Sequence, residues 1–544
     1  MKISGKLYAA LGSALLLGFA GTFAQAQSMM TRHTRPEVAR GETQYMGRMP
    51  AAQVLRLNLA LPLRNEAELD DLLQKLYDPQ SPYFHQFLSV QEFTDRFGPT
   101  EEDYAAVVHF AQEHGLTVTS TSSNRLVVNV AGPVSKIETA FHVNMLNFRH
   151  PTEARTFYAP DREPSADLRA PLWHISGLDN YSIPHPASLG RNPEARGSAT
   201  GSGPSGYFLG SDLRAAYYGG TALTGKGQSV GLLEFAGYNQ ADVTEYFTKV
   251  GQPLAVPVVG VSTDGSSLSC SGRRCDDTEQ VLDIEVAISM APGMSQLRVY
   301  VSDTSDVSIF NKMATDNISK SLSCSWGWSP ADPTSDDPIF KEFAAQGQNL
   351  FVASGDSGAY GRRSTDVYPA DDAYVTSVGG TDLTTNGAGG SWKSETAWSD
   401  SGGGISPNKI AIPSYQTAAG VITSANKGSS TLRNAPDVAA EANTDNYICY
   451  DGTCAGGWGG TSFAAPRWAG YLALVNQQAV ANTGKTLGFI NPALYSIGLG
   501  SSYATDFHDI VSGSNGTYST KKGFDLVTGW GSPNGVGLIN ALAP

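Results

Sequence analysis

Between residues 229 and 378 short apolar runs alternate with stretches of helical spacing, and this alternation limits the fold more than any other feature of the chain. The runs at 229–235, 296–301, 321–326, 349–354 and 375–378 read as buried strands. Strands of that kind have to be covered on both faces, as they are in parallel sheets. Helical spacing fills the gaps at 278–290, 308–315 and 338–346. The pattern predicts an α/β domain with a mostly parallel sheet flanked by helices.

The first third of the chain has another texture. Residues 27 to about 48 are polar and basic without a period, and read as a flexible lead-in. A strand at 53–61 is followed by a helix at 66–76 carrying Leu69, Leu72, Leu73 and Leu76, then a helix at 101–113 closed by Gly115. Strands at 117–121 and 125–130, a helix at 133–141 and short strands at 143–148 and 156–158 complete a β-α-β-β-α-β order, which suggests a compact α+β sandwich. Residues 184–206 are rich in Pro, Gly and Ser, include Arg191 and Arg196, and read as an exposed linker open to proteolytic nicking. The alternative is an ordered crossing segment.

The amino terminus has the form of a secretory signal. Lys2 and Lys6 precede an apolar run from Leu7 to Phe23, and Ala24-Gln25-Ala26 offers a cleavage site after Ala26. The expected location is therefore outside the cell or in a periplasm, with no membrane attachment after cleavage. A net charge of −14 argues against nucleic-acid partners, which need a basic footprint. The five cysteines fall as Cys270/Cys275, Cys449/Cys454 and a lone Cys324, so two local disulfides are expected in an exported chain. Zinc is the rival, but no histidine stands near either pair.

The chemistry centres on Gly459-Gly460-Thr461-Ser462-Phe463-Ala464-Ala465-Pro466, which opens an apolar helical stretch. The glycines permit a sharp turn, and Pro466 fits a first helical turn, so Ser462 would stand at a helix N-terminus. A nucleophilic serine needs a base. After His185 the only histidine is His508, beyond Ser462, so an upstream imidazole is missing and Gly355-Asp356-Ser357-Gly358 is not a trypsin-like nucleophile loop. A carboxyl base is available in Asp276-Asp277-Thr278-Glu279-Gln280-Val281-Leu282-Asp283-Ile284-Glu285, where Asp276 and Glu279 have capping-box spacing. Glu279 and Asp283 share one helix face. Burial and mutual repulsion would let the two hold a common proton.

Together, Glu279-x-x-x-Asp283, Ser325-Trp326-Gly327, Ala353-Ser354-Gly355-Asp356-Ser357-Gly358, Pro436-Asp437-Val438 and Gly460-Thr461-Ser462-x-x-x-Pro466 resemble the sedolisins, the serine-carboxyl peptidases, in their kumamolisin-like form. The resemblance runs from Ala51 to the C-terminus. It implies a subtilisin-like α/β catalytic domain at 207–544 behind a ferredoxin-like activation propeptide at 27–183, with processing in the 184–206 linker and a signal peptide at 1–26. It implies Ser462 as nucleophile, Glu279 as general base, Asp283 as its support and Asp356 as the oxyanion donor. Glu234 and Trp326 would stand behind the acids.

The resemblance also implies one structural Ca2+ ion, held by the carboxylates of Asp509 and Asp525 and the carbonyls of Ile510, Lys521 and Gly523, a hard oxygen set of the kind calcium prefers. The expected activity is that of a secreted acid-active endopeptidase, made as a zymogen and autoprocessed at low pH. A glutamate base and a protonated aspartic donor suit a rate optimum at roughly pH 3–5. Protein or peptide substrates, the chain's own propeptide as inhibitor and folding aid, and a monomeric state are the expected partnerships. The competing readings are a catalytically silent secreted binding protein on a peptidase scaffold, a tripeptidyl-peptidase, a conventional subtilisin and a serine esterase.

Overall fold

The computed structural model of the 544-residue chain describes all residues except 2–26, 29–30, 188–189, 193–199, 271–274, 332, 362–363 and 365. The expected signal sequence, Met1 apart, and Arg196 of the linker lie outside the described residues. Among the described residues no helix is long and apolar enough to cross a membrane.

The first domain is an antiparallel sheet of β1 (Val54–Ala60), β2 (Thr117–Thr121), β3 (Val127–Pro133) and β4 (His174–Ser176), in the order β2-β3-β1-β4. This is the strand order of a ferredoxin-like sheet. Helices α1 (Glu66–Leu76), α2 (Glu101–Glu113) and α3 (Val134–Phe141) accompany it, and α1 buries the four leucines that its spacing singles out. Two expectations are corrected here. The short strands after α3 do not close this sheet, because His174–Ser176 takes that edge. Met145–Arg149 and Thr156–Pro160 instead form a separate sheet with Tyr45–Arg48, so the supposed flexible lead-in is partly strand, paired on Met145–Arg149.

The second domain carries the parallel sheet. Its strands are β5 (Ser229–Glu234), β6 (Val258–Ser262), β7 (Gln296–Val301), β8 (Ser321–Cys324), β9 (Asn349–Ala353), β10 (Thr376–Thr385), β11 (Trp392–Ala397) and β12 (Val438–Glu441). The order is β6-β7-β5-β8-β9-β10-β11, with β12 also paired to β10. Only the β10–β11 pairing is antiparallel. Two helices on this sheet position the chemistry: α4 (Thr278–Met290) and α5 (Ala464–Thr483). Every residue of α4 is buried, acids included, which its all-round apolar sequence requires. The helices cross closely at Gly470, where an added methyl carbon would lie 2.8 Å from Met290 Cβ and 2.9 Å from the Ala287 carbonyl.

The domains meet through polar and aromatic contacts. Asn124 donates to Glu342 at 2.7 Å, and Arg56 reaches Asp264 and Asp303 at 3.3 Å. The Tyr77 hydroxyl donates to the Ala344 carbonyl at 2.6 Å. Parts of the 184–206 stretch are exposed, as its composition suggests, but its described residues are not free of partners. His185–Pro186 pairs with Trp326–Gly327, and Gly190–Arg191 pairs with the Thr453–Gly459 strand, so the weighed alternative of an ordered crossing segment holds for these residues. Glycine and proline content reports backbone freedom, not whether neighbouring edges offer partners.

Candidate active site

Ser462 lies in a single 3-10 turn, Thr461–Phe463, directly before α5, and is fully buried. The turn follows Gly460, whose φ of +146° lies in a region that side chains disfavour. A methyl carbon at Gly460 would also sit 2.5 Å from Asp356 Oδ2, so the glycine is required for the close approach of the two loops.

The structure brings the sequence-predicted acids together around that serine. The Ser462 hydroxyl donates to the Ser325 carbonyl at 3.4 Å. The Ser325 hydroxyl donates to Asp283 Oδ1 at 2.8 Å, and the Trp326 indole N–H donates to Glu234 Oε2 at 3.0 Å. Neither Glu279 oxygen completes a hydrogen bond, although the Ser462 and Ser325 hydroxyls lie near enough to favour its ionised form. The expected capping box is absent. Asp276 accepts from Thr278 N–H and Oγ1, and Glu279 is turned into the protein.

Burial dominates the electrostatics. It pushes the Glu279 carboxyl well above the usual range, and the neighbouring Asp283 and Asp356 push the same way. Glu234 and Asp283 are also raised, first by burial and then by a neighbouring carboxyl, Glu279 for Glu234 and Glu234 for Asp283. Asp356, only half-buried as a residue, has its carboxyl shielded and is pushed up to about 8, mainly by desolvation. Its Oδ1 accepts from Thr461 N–H and Oγ1 at 2.7 Å each, and its Oδ2 has no partner among the described residues. A protonated Oδ2 could donate to an oxyanion. His508 is remote from this chemistry: its ring stacks on Trp392 at 3.9 Å, and burial lowers its pKa to about 4.

Sequence reasoning missed two contributors, the Ser325 hydroxyl that ties Asp283 to the serine loop and Thr461, which orients Asp356. The motifs Ser325-Trp326-Gly327 and Gly460-Thr461-Ser462 contained both, but only contacts across loops give them a task.

The candidate calcium residues gather on one short loop. Asp525 accepts from the N–H groups of Lys521, Val527 and Thr528 at 2.8–2.9 Å. Asp509 accepts from the Tyr503 hydroxyl at 2.9 Å and Gly523 N–H at 3.1 Å. Burial pushes Asp525 up to about 7. Among the described residues no group of three or more His, Cys, Asp or Glu could hold a metal, so a cation here would rest on two carboxylates plus carbonyls. The donor set fits a hard cation: two carboxylates with no ion-pair partner, and no hydrogen bond from a described donor to the carbonyls of Ile510, Lys521 or Gly523. Both short-range cysteine pairs are disulfides, Cys270–Cys275 and Cys449–Cys454, while Cys324 is free and buried.

Comparison with known proteins is consistent along the chain. Residues 42–181 match the family described as "Pro-kumamolisin, activation domain", and residues 290–490 match "Subtilase family". The chain is 31% identical to kumamolisin of Bacillus sp. (strain MN-32) over 96% of its own length and 97% of that protein. It is 28% identical to sedolisin of Pseudomonas sp. (strain 101), covering 89% and 86%, and 26% identical to tripeptidyl-peptidase 1 of Rattus norvegicus, covering 91% and 93%. A solved Pseudomonas sedolisin, described as a serine-carboxyl proteinase complexed with two molecules of pseudo-iodotyrostatin, superimposes with a TM-score of 0.54 at 29% identity, over 63% of this chain and 98% of that one.

Proposed function

The chain belongs to the sedolisin family of serine-carboxyl peptidases, and from that premise we propose that it is a secreted, acid-active endopeptidase, made as a zymogen that processes itself at low pH. The observation that carries the reading is the buried run of Ser462, Ser325, Asp283 and Glu234 beside Glu279, without a histidine. Export rests on the leader sequence alone.

Ser462 attacks the substrate carbonyl while its proton passes to Glu279. Asp283, held by the Ser325 hydroxyl and Glu234, supports Glu279 and keeps a proton within the buried set. The tetrahedral oxygen takes a hydrogen bond from protonated Asp356 Oδ2, and loss of the leaving amine gives an acyl-enzyme that water hydrolyses. One Ca2+ ion on Asp509, Asp525 and the carbonyls of Ile510, Lys521 and Gly523 would fix the C-terminal loop without entering the reaction.

The pH dependence follows from these roles. Asp356 donates only while protonated, a form lost as pH rises through its pKa. Glu279 accepts only when ionised, a form lost as pH falls through its own. Burial is the first cause of the upward shift on both. In a mature cleft open to water Glu279 moves back toward the ordinary range, and the enzyme works best at roughly pH 3–5. Casein hydrolysis by acid-treated protein should peak there, and Ser462→Ala should lower it by about a million-fold. A maximum at pH 8, or activity that survives the serine change, would falsify the mechanism.

A further inference from the structure

Two histidines far from Ser462 hold the start of the first domain in place, and the reaction uses neither. The rings of His33 and His174 stack with 4.4 Å between centres and 12° between planes. His33 is 5% exposed, and His174, half-buried as a residue, has its ring enclosed. Their hydrogen bonds fix both tautomers. Ile175 N–H donates to His33 Nε2 at 2.9 Å, so that ring carries its proton on Nδ1, which faces Glu163 Oε2 at 3.7 Å. The Thr31 hydroxyl gives its single proton to the Trp173 carbonyl at 2.9 Å. At their 2.7 Å contact His174 Nδ1 is therefore the donor to Thr31 Oγ1.

The stack joins two pieces of chain. Residues 31–35 also hold on through Glu163, which accepts from His33 N–H at 2.8 Å and Thr34 N–H at 3.0 Å, and through the Arg35–Asp179 pair at 2.9 Å. They cover β4 (His174–Ser176), and next to it Trp173 donates its indole N–H to the Thr334 carbonyl of the second domain at 2.6 Å. The partner strand β1 reaches the same domain: Asn58 accepts from the Ser305 hydroxyl at 2.6 Å and donates to Ser308 Oγ at 2.8 Å. A cavity of about 1540 Å³ runs between residues 31–35 and the two domains, with both rings on its wall.

Resting on the zymogen reading above, we propose that residues 31–35 are an acid-released strap on the propeptide, with His33 and His174 as its sensor, and that release loosens the edge seating the first domain on the second. A proton on His33 Nε2 ends the bond from Ile175 N–H but leaves the ring beside Glu163 as counter-charge. Burial would raise the Glu163 carboxyl, yet the donors of His33 and Thr34 outweigh it and hold it at about 2. A second proton, on His174, sets two cations 4.4 Å apart. Burial and then His33 resist that proton while the strap is docked, with Arg35 on their side and Asp179 and Glu163 against. On the cavity wall Arg32, Arg40 and Arg56 offset Glu37, Asp303 and Asp306. Once released, each ring charges at the ordinary histidine value of about 6.5. Release takes up protons, so docking weakens as pH falls below that value, by up to about tenfold per pH unit for each histidine.

The test uses full-length protein carrying Ser462→Ala, so that no cleavage intervenes, and follows amide hydrogen exchange on acidification, each rate divided by its intrinsic value at that pH. Below about pH 6, protection at His33, Thr34 and Ile175 should fall by more than tenfold and up to about a hundredfold per pH unit, while β8 and β9 stay protected. His33→Gln with His174→Phe should keep the protection. Either change alone should limit the loss to about tenfold per unit. His174→Phe keeps a ring in the stack that cannot charge, so an unchanged slope in that variant assigns His174 packing alone and overturns the sensor. Protection lost only near the Glu163 value, alike in all variants, overturns it too. With Ser462 intact, the double variant should need about tenfold more acid to begin processing, at unchanged kcat/KM on casein once processed. Processing at the same pH as the unmodified protein overturns the strap, whereas absence of casein hydrolysis by the unmodified protein sinks the peptidase reading and leaves the exchange result to decide the strap.

Discussion

Two buried groups of carboxyls in this protein are built in opposite ways. Asp437 is fully buried and fully served: Arg433 Nη2 lies 2.5 Å away, and Ser377 N–H, the Tyr495 hydroxyl and Asn491 Nδ2 donate at 2.8, 2.8 and 3.2 Å. Among the described residues Glu279, Asp283, Glu234 and Asp356 have no ion-pair cation, and Glu279 Oε1 and Oε2, Asp283 Oδ2, Glu234 Oε1 and Asp356 Oδ2 meet no hydrogen-bond partner. A carboxylate whose oxygens are all served holds the structure in place. An unsatisfied one has to hold a proton, and a held proton can be moved. Glu279, Asp283, Asp356 and Asp437 all fall in the motifs that carry the resemblance, so a motif alone does not tell the two groups apart.

The largest effect should come from removing proton transfer. Glu279→Gln keeps size and burial but cannot accept a proton, and kcat should fall by about 10²–10⁴. Asp356→Asn should cost about 10²–10³, since one donor to the oxyanion changes character. Melting temperatures of both should stay near that of the unmodified protein or rise, because a neutral amide replaces an unpaired buried acid. A large drop in stability with little loss of rate would place these acids in the same class as Asp437.

The opposite pattern is expected on the satisfied side. Arg433→Met leaves Asp437 buried without its cation, which should cost about 3–5 kcal/mol of stability. Rate per folded molecule, measured by active-site titration below the melting transition, should change little. Loss of turnover at unchanged stability would break the contrast from this end.

Much of this was legible from the residues. Apolar strands alternating with helical stretches pointed to the parallel sheet, and the missing histidine pointed to a carboxyl base. Less was legible wherever function depends on what approaches a residue from another element. Asp283 and Glu285 are neighbours on one buried helix, yet Asp283 meets the Ser325 hydroxyl while Glu285 meets only the Cys449 N–H, at 3.4 Å. Nothing local to that helix separates them. His174–Ser176 is only three residues long, and it is the pairing with Asn58–Ala60 that makes it the edge of the sheet. The crossing segment was misread for the same reason: its composition is that of a linker, and its pairing belongs to two distant strands.

Asp509 and Asp525 sharpen the comparison because they fit neither group. Backbone and hydroxyl donors serve them as they serve Asp437, yet no cation side chain does. Donors of this kind favour the charged form, whereas burial raises Asp525 to about 7, so the loop carries an electrostatic debt that a divalent ion would cancel. An ion that binds only the folded state stabilises it by RT ln(1 + [L]/Kd), about 2.7 kcal/mol at a hundredfold excess over Kd. For a catalytic domain of this size that is an apparent melting shift of about 3–5 °C. Adding a chelator to purified protein should lower the melting temperature by that amount, calcium should restore it, and Asp525→Asn should melt at the lower temperature with or without the ion. If the chelator leaves the melting temperature of the unmodified protein where it was, this loop binds no calcium. Its carboxylates then belong with Asp437, held by backbone donors in place of an arginine.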